Sequence, residues 1–323
     1  YKAPLNEFMF LLKHLVNYDS HAELPGYEEV GMEMVEAILP EAAKFFENII
    51  APTNLETDQQ GTRLNDGEVQ IAPVIKGLGA QMSQAGWTGL GGSKDYDGSG
   101  FPGVVDLAVQ EMLQSANMSL SLLPLLTKGV IHALSLYGTD LQKQLFLTHL
   151  TNGSWSGTMN LTEPQAGSDL STIKCKAVPN DDHYLLTGQK IYITWGEHDQ
   201  TENIIHLVLA RLPDAPEGTQ GISMFLVPKY LVNSDGSLGR RNDVKVAGIE
   251  RKLGIHGSPT CTMIYGDNGG AVGYLVGPEN KGLMCMFSMM NNARLSVGHQ
   301  GVAVGERAYQ QAVSFAEQRL QGQ

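Results

Sequence analysis

The chain has 323 residues, a formal net charge of -12, 42% hydrophobic and 17% charged residues, which excludes a disordered chain and leaves room for roughly two globular cores. Such an acidic surface repels phosphate backbones and anionic headgroups, so neither nucleic acid nor a membrane surface is an expected partner. Cys175, Cys261 and Cys285 make no CxxC pair and suit a reducing compartment, and residues 1–12 lack the pattern of a signal peptide. The longest apolar stretches, residues 120–126 and 204–209, fall short of a bilayer, so a cytoplasmic location is expected.

The first half reads as helical. Across residues 30–50 the apolar side chains of Met34, Ile38, Ala42, Phe45 and Ile49 recur at helical spacing, with Pro40 predicting a kink or a junction. Residues 106–113 predict a helix entering from a Gly/Pro-rich loop. Residues 122–136 are apolar on nearly every side, as in a helix buried between neighbours. Gly138 ends it, and Thr139 with Gln142 has the spacing of a capping box.

After Gly153 the period becomes two. Ile173, Cys175 and Ala177 alternate with polar residues, as do Ile191 and Ile193, and the turn cluster from Asn180 to His183 makes the two runs a hairpin. Residues 204–212 and 222–227 read as buried strands, 233–242 as a polar loop, and 260–265 as the strand that completes the β region. From Leu283 to Leu320 the period is helical again, in one long helix or two. Gly298, Gly301 and Gly305 on it would admit the close approach of another helix. The fold class is therefore α+β: a helical N-terminal domain over residues 1–152, a central antiparallel β domain over 153–278, and the start of a C-terminal helical domain over 279–323.

Several motifs are absent. No GxGxxG follows a strand, Leu283 stands where a P-loop lysine would follow Gly282, and Trp155 occupies the centre of what would be a nucleophile elbow. There is no HExxH, and His198-Asp199 reads as a loop pair rather than a metal site, so no metal is expected.

Two stretches carry chemistry. Met159-Asn-Leu-Thr-Glu-Pro-Gln-Ala-Gly-Ser-Asp169 runs from a strand into a turn, exposing backbone N–H groups and hydroxyls that suit a flat heteroaromatic ring or a polar chain across it. Taken alone it is equally an ordinary surface turn. In Lys190-Ile-Tyr-Ile-Thr-Trp-Gly196, alternation puts Tyr192 and Thr194 on one face of a strand, an aromatic beside a hydroxyl.

In this order the two stretches resemble the acyl-CoA dehydrogenase family. The likeness extends to Gly98-Ser-Gly100, to Arg294 within Met290-Asn-Asn-Ala-Arg-Leu295, and to the helix that leads from Tyr309 to Arg319. The opening Tyr1-Lys-Ala-Pro-Leu5, Gly86-Trp-Thr-Gly-Leu90, Gly196-Glu-His-Asp199 and residues 206–229 resemble the large 3-methylmercaptopropionyl-CoA dehydrogenase group within it.

The resemblance implies FAD against the β domain, with backbone groups of Leu161 and Thr162 at the pyrimidine end of the isoalloxazine and Thr194 near N5. Tyr192 stands where many relatives have tryptophan, and Met159 where some have tyrosine. Ser168 would sit where flavin and the pantetheine arm of acyl-CoA converge, and Asn291 to Arg294 would line the acyl-CoA channel. Arg319 and Gln321 would reach the FAD pyrophosphate of a second subunit in a homodimer.

The implied activity is α,β-dehydrogenation of a fatty acyl-CoA or 3-methylthiopropanoyl-CoA, with electrons passed to an acceptor such as an electron-transfer flavoprotein. The family's catalytic base is a glutamate at one of two places. One is occupied here by Ala293; the other is expected beyond Gln323, so the chain alone is expected to be inactive. An acyl-CoA oxidase shares this site but returns electrons to oxygen. A DNA-associated alkylation-response relative would need a basic patch that a chain with 22 Lys and Arg against 34 Asp and Glu scarcely offers.

Overall fold

Seven helices fill the first half of the computed structural model, which describes residues 1–322 apart from the side chain of Ala22. They are α1 (Leu5–Phe10), α2 (Met32–Phe45), α3 (Asn54–Gln60), α4 (Leu78–Gln84), α5 (Gly103–Ala116), α6 (Met118–Tyr137) and α7 (Asp140–Asn152). A small ribbon of β1 (Arg63–Asn65) and β2 (Glu68–Gln70) interrupts them, which helical spacing did not foresee.

Local chemistry sets the ends. Asn117 caps α6 by accepting from Leu120 N–H, while its Nδ2 donates to the hydroxyls of Thr53 and Thr57 at 3.0 Å. The Thr139–Gln142 capping box opens α7, and Gly153 at φ 81° closes it. Pro40 makes no junction: α2 runs through it, and the irregularity comes later, as a π-helical turn over Phe46–Ile50. Contrary to the reading of short apolar stretches, α6 is by length and composition apolar enough to cross a bilayer, but 61% of that window is buried within the protein.

The second half is one large sheet with a separate two-stranded ribbon. Its strands are β3 (Trp155–Asn160), β4 (Lys176–Asn180), β5 (His183–Thr194), β6 (Asn203–Arg211), β7 (Ile222–Pro228), β8 (Tyr230–Val232), β9 (Leu238–Arg241), β10 (Val244–Ile249), β11 (Thr260–Tyr265) and β12 (Ala271–Val276). The order in the large sheet is β10-β11-β5-β12-β7-β6-β3, with β4 pairing β5 and touching β6, and β8 pairs β9 in the ribbon. Not every pair is antiparallel. β3 and β6 run parallel from Trp155 beside Asn203 to Asn160 beside Val208, because the excursion between them returns the chain in the same direction. The expected loop over 233–242 contains half of the β8–β9 ribbon, and β10 and β12 extend the sheet past the elements read from spacing.

α8 (Gly282–Gln318) is one helix of 37 residues. It starts on the β7 backbone, where a Cβ on Gly282 would stand 2.3 Å from the Ser223 carbonyl carbon. Its later turns return to the helical half, with Arg307 donating to the carbonyls of Ser115 and Ala116 at 2.7 and 2.8 Å. Among the described residues no second helix approaches Gly298, Gly301 or Gly305, and Leu295, Val302, Tyr309 and Phe315 are exposed.

One of the hydrophobic cores joins the two halves through Val130 and Leu134 of α6, Trp155 of β3, Leu207 of β6 and Met289 of α8. The approach of β3 to α6 requires Gly157: a Cβ there would lie 2.6 Å from Val130, and its N–H donates to Thr127 Oγ1 at 3.0 Å.

Candidate functional site

The site begins where β3 ends. After Asn160 the chain makes a tight turn held by reciprocal backbone bonds between Glu163 and Ala166, at 2.9 and 3.0 Å. Asp169 then accepts from Ser171 N–H at 2.8 Å and starts a 3-10 turn over Leu170–Thr172. The turn is fastened from inside by Glu163, which is buried. Its carboxylate accepts from the N–H groups of Lys174 and Cys175 at 2.6 and 3.0 Å and from Lys190 Nζ at 2.9 Å. Burial raises its pKa, but the Lys190 ammonium and those N–H donors outweigh burial and hold it below the ordinary carboxylate value.

β5 reaches the same place. Ile191 N–H donates to the Thr162 carbonyl at 2.9 Å, and Lys190 Nζ to the Leu161 carbonyl at 2.9 Å. Beyond Lys190 the alternation that would put Lys190 on one face with Tyr192 and Thr194 is broken. Lys190 pairs with Met263 and Ile193 with Cys261, so Ile191 and Tyr192 both oppose Thr262 in a bulge. Tyr192 takes φ 61° and is 60% exposed, Ile193 is buried, and Thr194 is half-buried.

Behind β3 lies a buried polar row. Thr158 Oγ1 is 2.7 Å from His206 Nδ1 and accepts from Asn160 Nδ2 at 2.8 Å, and Asn160 Oδ1 accepts from Tyr265 OH at 2.8 Å. Ser156 Oγ is 3.0 Å from His198 Nε2. Burial first, and then the Lys229 ammonium, push both imidazoles down to about 3, so they are neutral.

In front of β3 is a cavity of about 740 Å³, formed by α5, α6, α8 and the residues ahead of α5. That is the size of an ordinary small-molecule site. Met159 and Gly129 wall one part of it, and Ala293 enters from α8. Its polar wall holds Asp106, both of whose carboxylate oxygens lie 2.6 Å from Lys128 Nζ, together with Gln110 and Gln114. Gln114 Oε1 is buried without a partner.

Of the residues singled out from sequence, Met159, Leu161, Thr162, Ser168, Tyr192 and Thr194 lie on the two chain segments that these bonds bring together. Among the described residues the Thr162 N–H and the Thr194 and Ser168 hydroxyls have no protein hydrogen-bond partner. Free donors beside an exposed aromatic fit the polar edge and the face of a heteroaromatic ring. Asn292 and Ala293 line the cavity, whereas Asn291 and Arg294 do not: both are exposed, Arg294 bonding Asn291 at 3.1 Å and lying over Phe287. Arg319 caps α8 and Gln321 follows it, both exposed. At 1.5 Å per residue Arg319 is about 38 Å along the helix axis from Arg294, too far to share this chain's cavity.

Sequence reasoning missed the cavity wall from α5 and α6, which no local pattern marks. It also missed Lys190 and Glu163 as a pair, although both stand inside the quoted stretches.

Known proteins resemble this chain in sequence and fold. Residues 32–154 match the family description "Acyl-CoA dehydrogenase, N-terminal domain" and residues 158–268 match "Acyl-CoA dehydrogenase, middle domain". A 3-methylmercaptopropionyl-CoA dehydrogenase of Ruegeria pomeroyi is 49% identical over 99% of this chain, which spans 54% of that protein's length. A short-chain-specific acyl-CoA dehydrogenase of Megasphaera elsdenii is 31% identical over 87% of this chain and 68% of its own length. Among solved structures, an acyl-CoA dehydrogenase of Bacillus anthracis complexed with FAD superposes with a TM-score of 0.73 at 25% identity, over 91% of this chain and 46% of that one. The match of both domains, and of a relative covered over two thirds of its length, places the chain in the acyl-CoA dehydrogenase family.

Proposed function

We propose that the chain binds FAD across the 161–168 turn and the end of β5, and an acyl-CoA thioester in the cavity before Met159, within an enzyme that forms 2-enoyl-CoA. The observation that carries the reading is the position of β3. The strand that leads into the free Thr162 N–H also puts Met159 into the cavity wall, so a ring on the turn and a chain in the cavity would meet there.

Each residue then has a task. The Thr162 N–H and the backbone at Leu161 bind the polar edge of the ring, Tyr192 covers it, and the Thr194 hydroxyl donates at its centre. Ser168 lies on the exposed rim, where the pantetheine arm enters. FAD, when bound, supplies the hydride acceptor. The cavity holds the acyl chain in a fixed orientation and keeps water from it. Arg294 and Asn291, exposed on α8 and bonded there to each other, would meet whatever covers that helix, and Arg319 with Gln321 would serve a second subunit.

A free carboxylate base is the part these residues do not supply. Asp106 is the cavity's one carboxylate among the described residues, and Lys128 holds both of its oxygens. Ala293 has no titratable group. The reading therefore puts the α-proton acceptor on a segment outside these 323 residues. The exposed apolar side of α8 supports further helices, and a dimer, covering it. Three buried free cysteines suit the cytoplasm, and the expected oxidant is an electron-transfer flavoprotein.

The test is anaerobic bleaching of the FAD-loaded full-length protein by butyryl-, 3-methylthiopropanoyl-, octanoyl- and palmitoyl-CoA, with Thr194→Val alongside. Thr194→Val shifts the flavin absorption bands and slows bleaching. Bleaching by none of the four thioesters overturns the reading, and rapid peroxide release in air assigns the protein to the oxidases.

A further inference from the structure

The turn given above to the flavin is pinned by an ion pair removed from water. Lys190 is fully buried and Glu163 is 3% exposed. Replacing such a pair by apolar residues is often neutral or stabilising, so the fold alone does not call for it. Its geometry does more than close a gap. Lys190 Nζ donates both to Glu163 Oε1 and to the Leu161 carbonyl, each at 2.9 Å.

The Leu161 carbonyl and the Thr162 N–H belong to one peptide group. A cation on the oxygen draws electron density along the amide and makes the N–H at the other end a stronger donor. That N–H is the one left without a protein acceptor. The bulge at Tyr192 lets this happen, because it turns Lys190 and Ile193 inward together while Tyr192 stays outside. Glu163 balances the ammonium, and with Lys174 and Cys175 N–H groups also on its carboxylate it cannot swing away.

We infer that Lys190, held by Glu163, is a positioning residue that polarises the Leu161–Thr162 peptide toward the flavin, tightening FAD binding and favouring the reduced ring, whose pyrimidine end carries the added negative charge. The inference rests on the placement of FAD proposed above.

The experiment uses the full-length protein. Lys190→Met alone would strand the Glu163 carboxylate, so the main variant is Lys190→Met with Glu163→Gln. Lys190→Gln with Glu163→Gln, which keeps a neutral donor at position 190 and strands no charge, serves where the first double variant does not fold. FAD affinity, the flavin spectrum, the midpoint potential and apoprotein melting are measured together. The expected result is an apoprotein melting near wild type, FAD bound about tenfold more weakly, and a potential lowered by about 30 mV, equivalent to a tenfold smaller preference for the reduced form. A role in folding alone moves the melting point and leaves the potential unchanged, which overturns the inference. Thr194→Val separates the two layers. If it shifts the spectrum while the Lys190 variants leave potential and affinity at wild-type values, the polarisation is wrong and the site stands. If neither changes anything, the site itself is misplaced.

Discussion

Acid should unfold this protein through β3, the strand under the proposed flavin. His198 and His206 are wholly buried, bonded to Ser156 and Thr158, and held neutral at about 3 by burial and by Lys229. Unfolded, each returns to about 6.5. A depressed folded pKa gives a contribution that is complete above 6.5 and is lost as pH falls toward 3, because the unfolded chain takes up protons that the folded one refuses. At pH 5 the loss is about 1.5 pH units at about 1.36 kcal/mol each, or ~2 kcal/mol per histidine and ~4 kcal/mol for both. That is a large part of the 5–15 kcal/mol typical of a domain. His256, raised by its hydrogen bond to Asp58, acts in the opposite direction but is exposed, and the lowered carboxyls of Asp58 and Glu163 titrate below this window. The assay is urea unfolding at pH 7.5 and 5.0, followed by tryptophan fluorescence, of wild type, His206→Gln and His198→Gln/His206→Gln. The single variant should lose ~2 kcal/mol less between the two pH values than wild type, and the double variant ~4 kcal/mol less. Parallel losses in all three proteins would refute the reasoning and move the acid sensitivity to other groups.

Ala293→Glu should place a carboxylate in the cavity wall. In the 323-residue chain, exchange of the acyl-CoA α-proton with deuterium should then rise by roughly 10²–10⁴-fold, the usual worth of a positioned base; no rise with acyl-CoA still bound would mean that Ala293 does not face the thioester. Lys128→Leu with Asp106→Leu exchanges the charged wall for an apolar one. At ~0.8 kcal/mol per methylene buried, each added pair of methylenes in the substrate should gain about 15-fold in kcat/KM relative to wild type, read from a butyryl- to octanoyl-CoA series of the full-length enzyme. An unchanged chain-length profile would remove this pair from the acyl path.

What the sequence made legible follows from how locally each feature is written. The Thr139–Gln142 box, the apolar run of α6 and the 37-residue α8 depend on residues three or four apart, and they were readable. The parallel pairing of β3 with β6 was not, since strand direction is decided by a partner more than forty positions away, and β12, buried without alternation, owes its existence to its neighbours β5 and β7. The site divides in the same way. The turn and the end of β5 were found because their residues are consecutive. The cavity wall was not, because Asp106, Lys128 and Ala293 come from three helices and meet only when α8 folds back over α5 and α6. Lys190 is the instructive case. A lysine two residues before an aromatic in a strand reads as solvent-facing, and by simple alternation it would share a face with Tyr192. The bulge reverses this, so Tyr192 is exposed and the ammonium is buried against Glu163. One residue of slip thus converts a surface charge into the group that touches the backbone of the proposed flavin site. A motif copied without the bulge would present the same letters and a different donor.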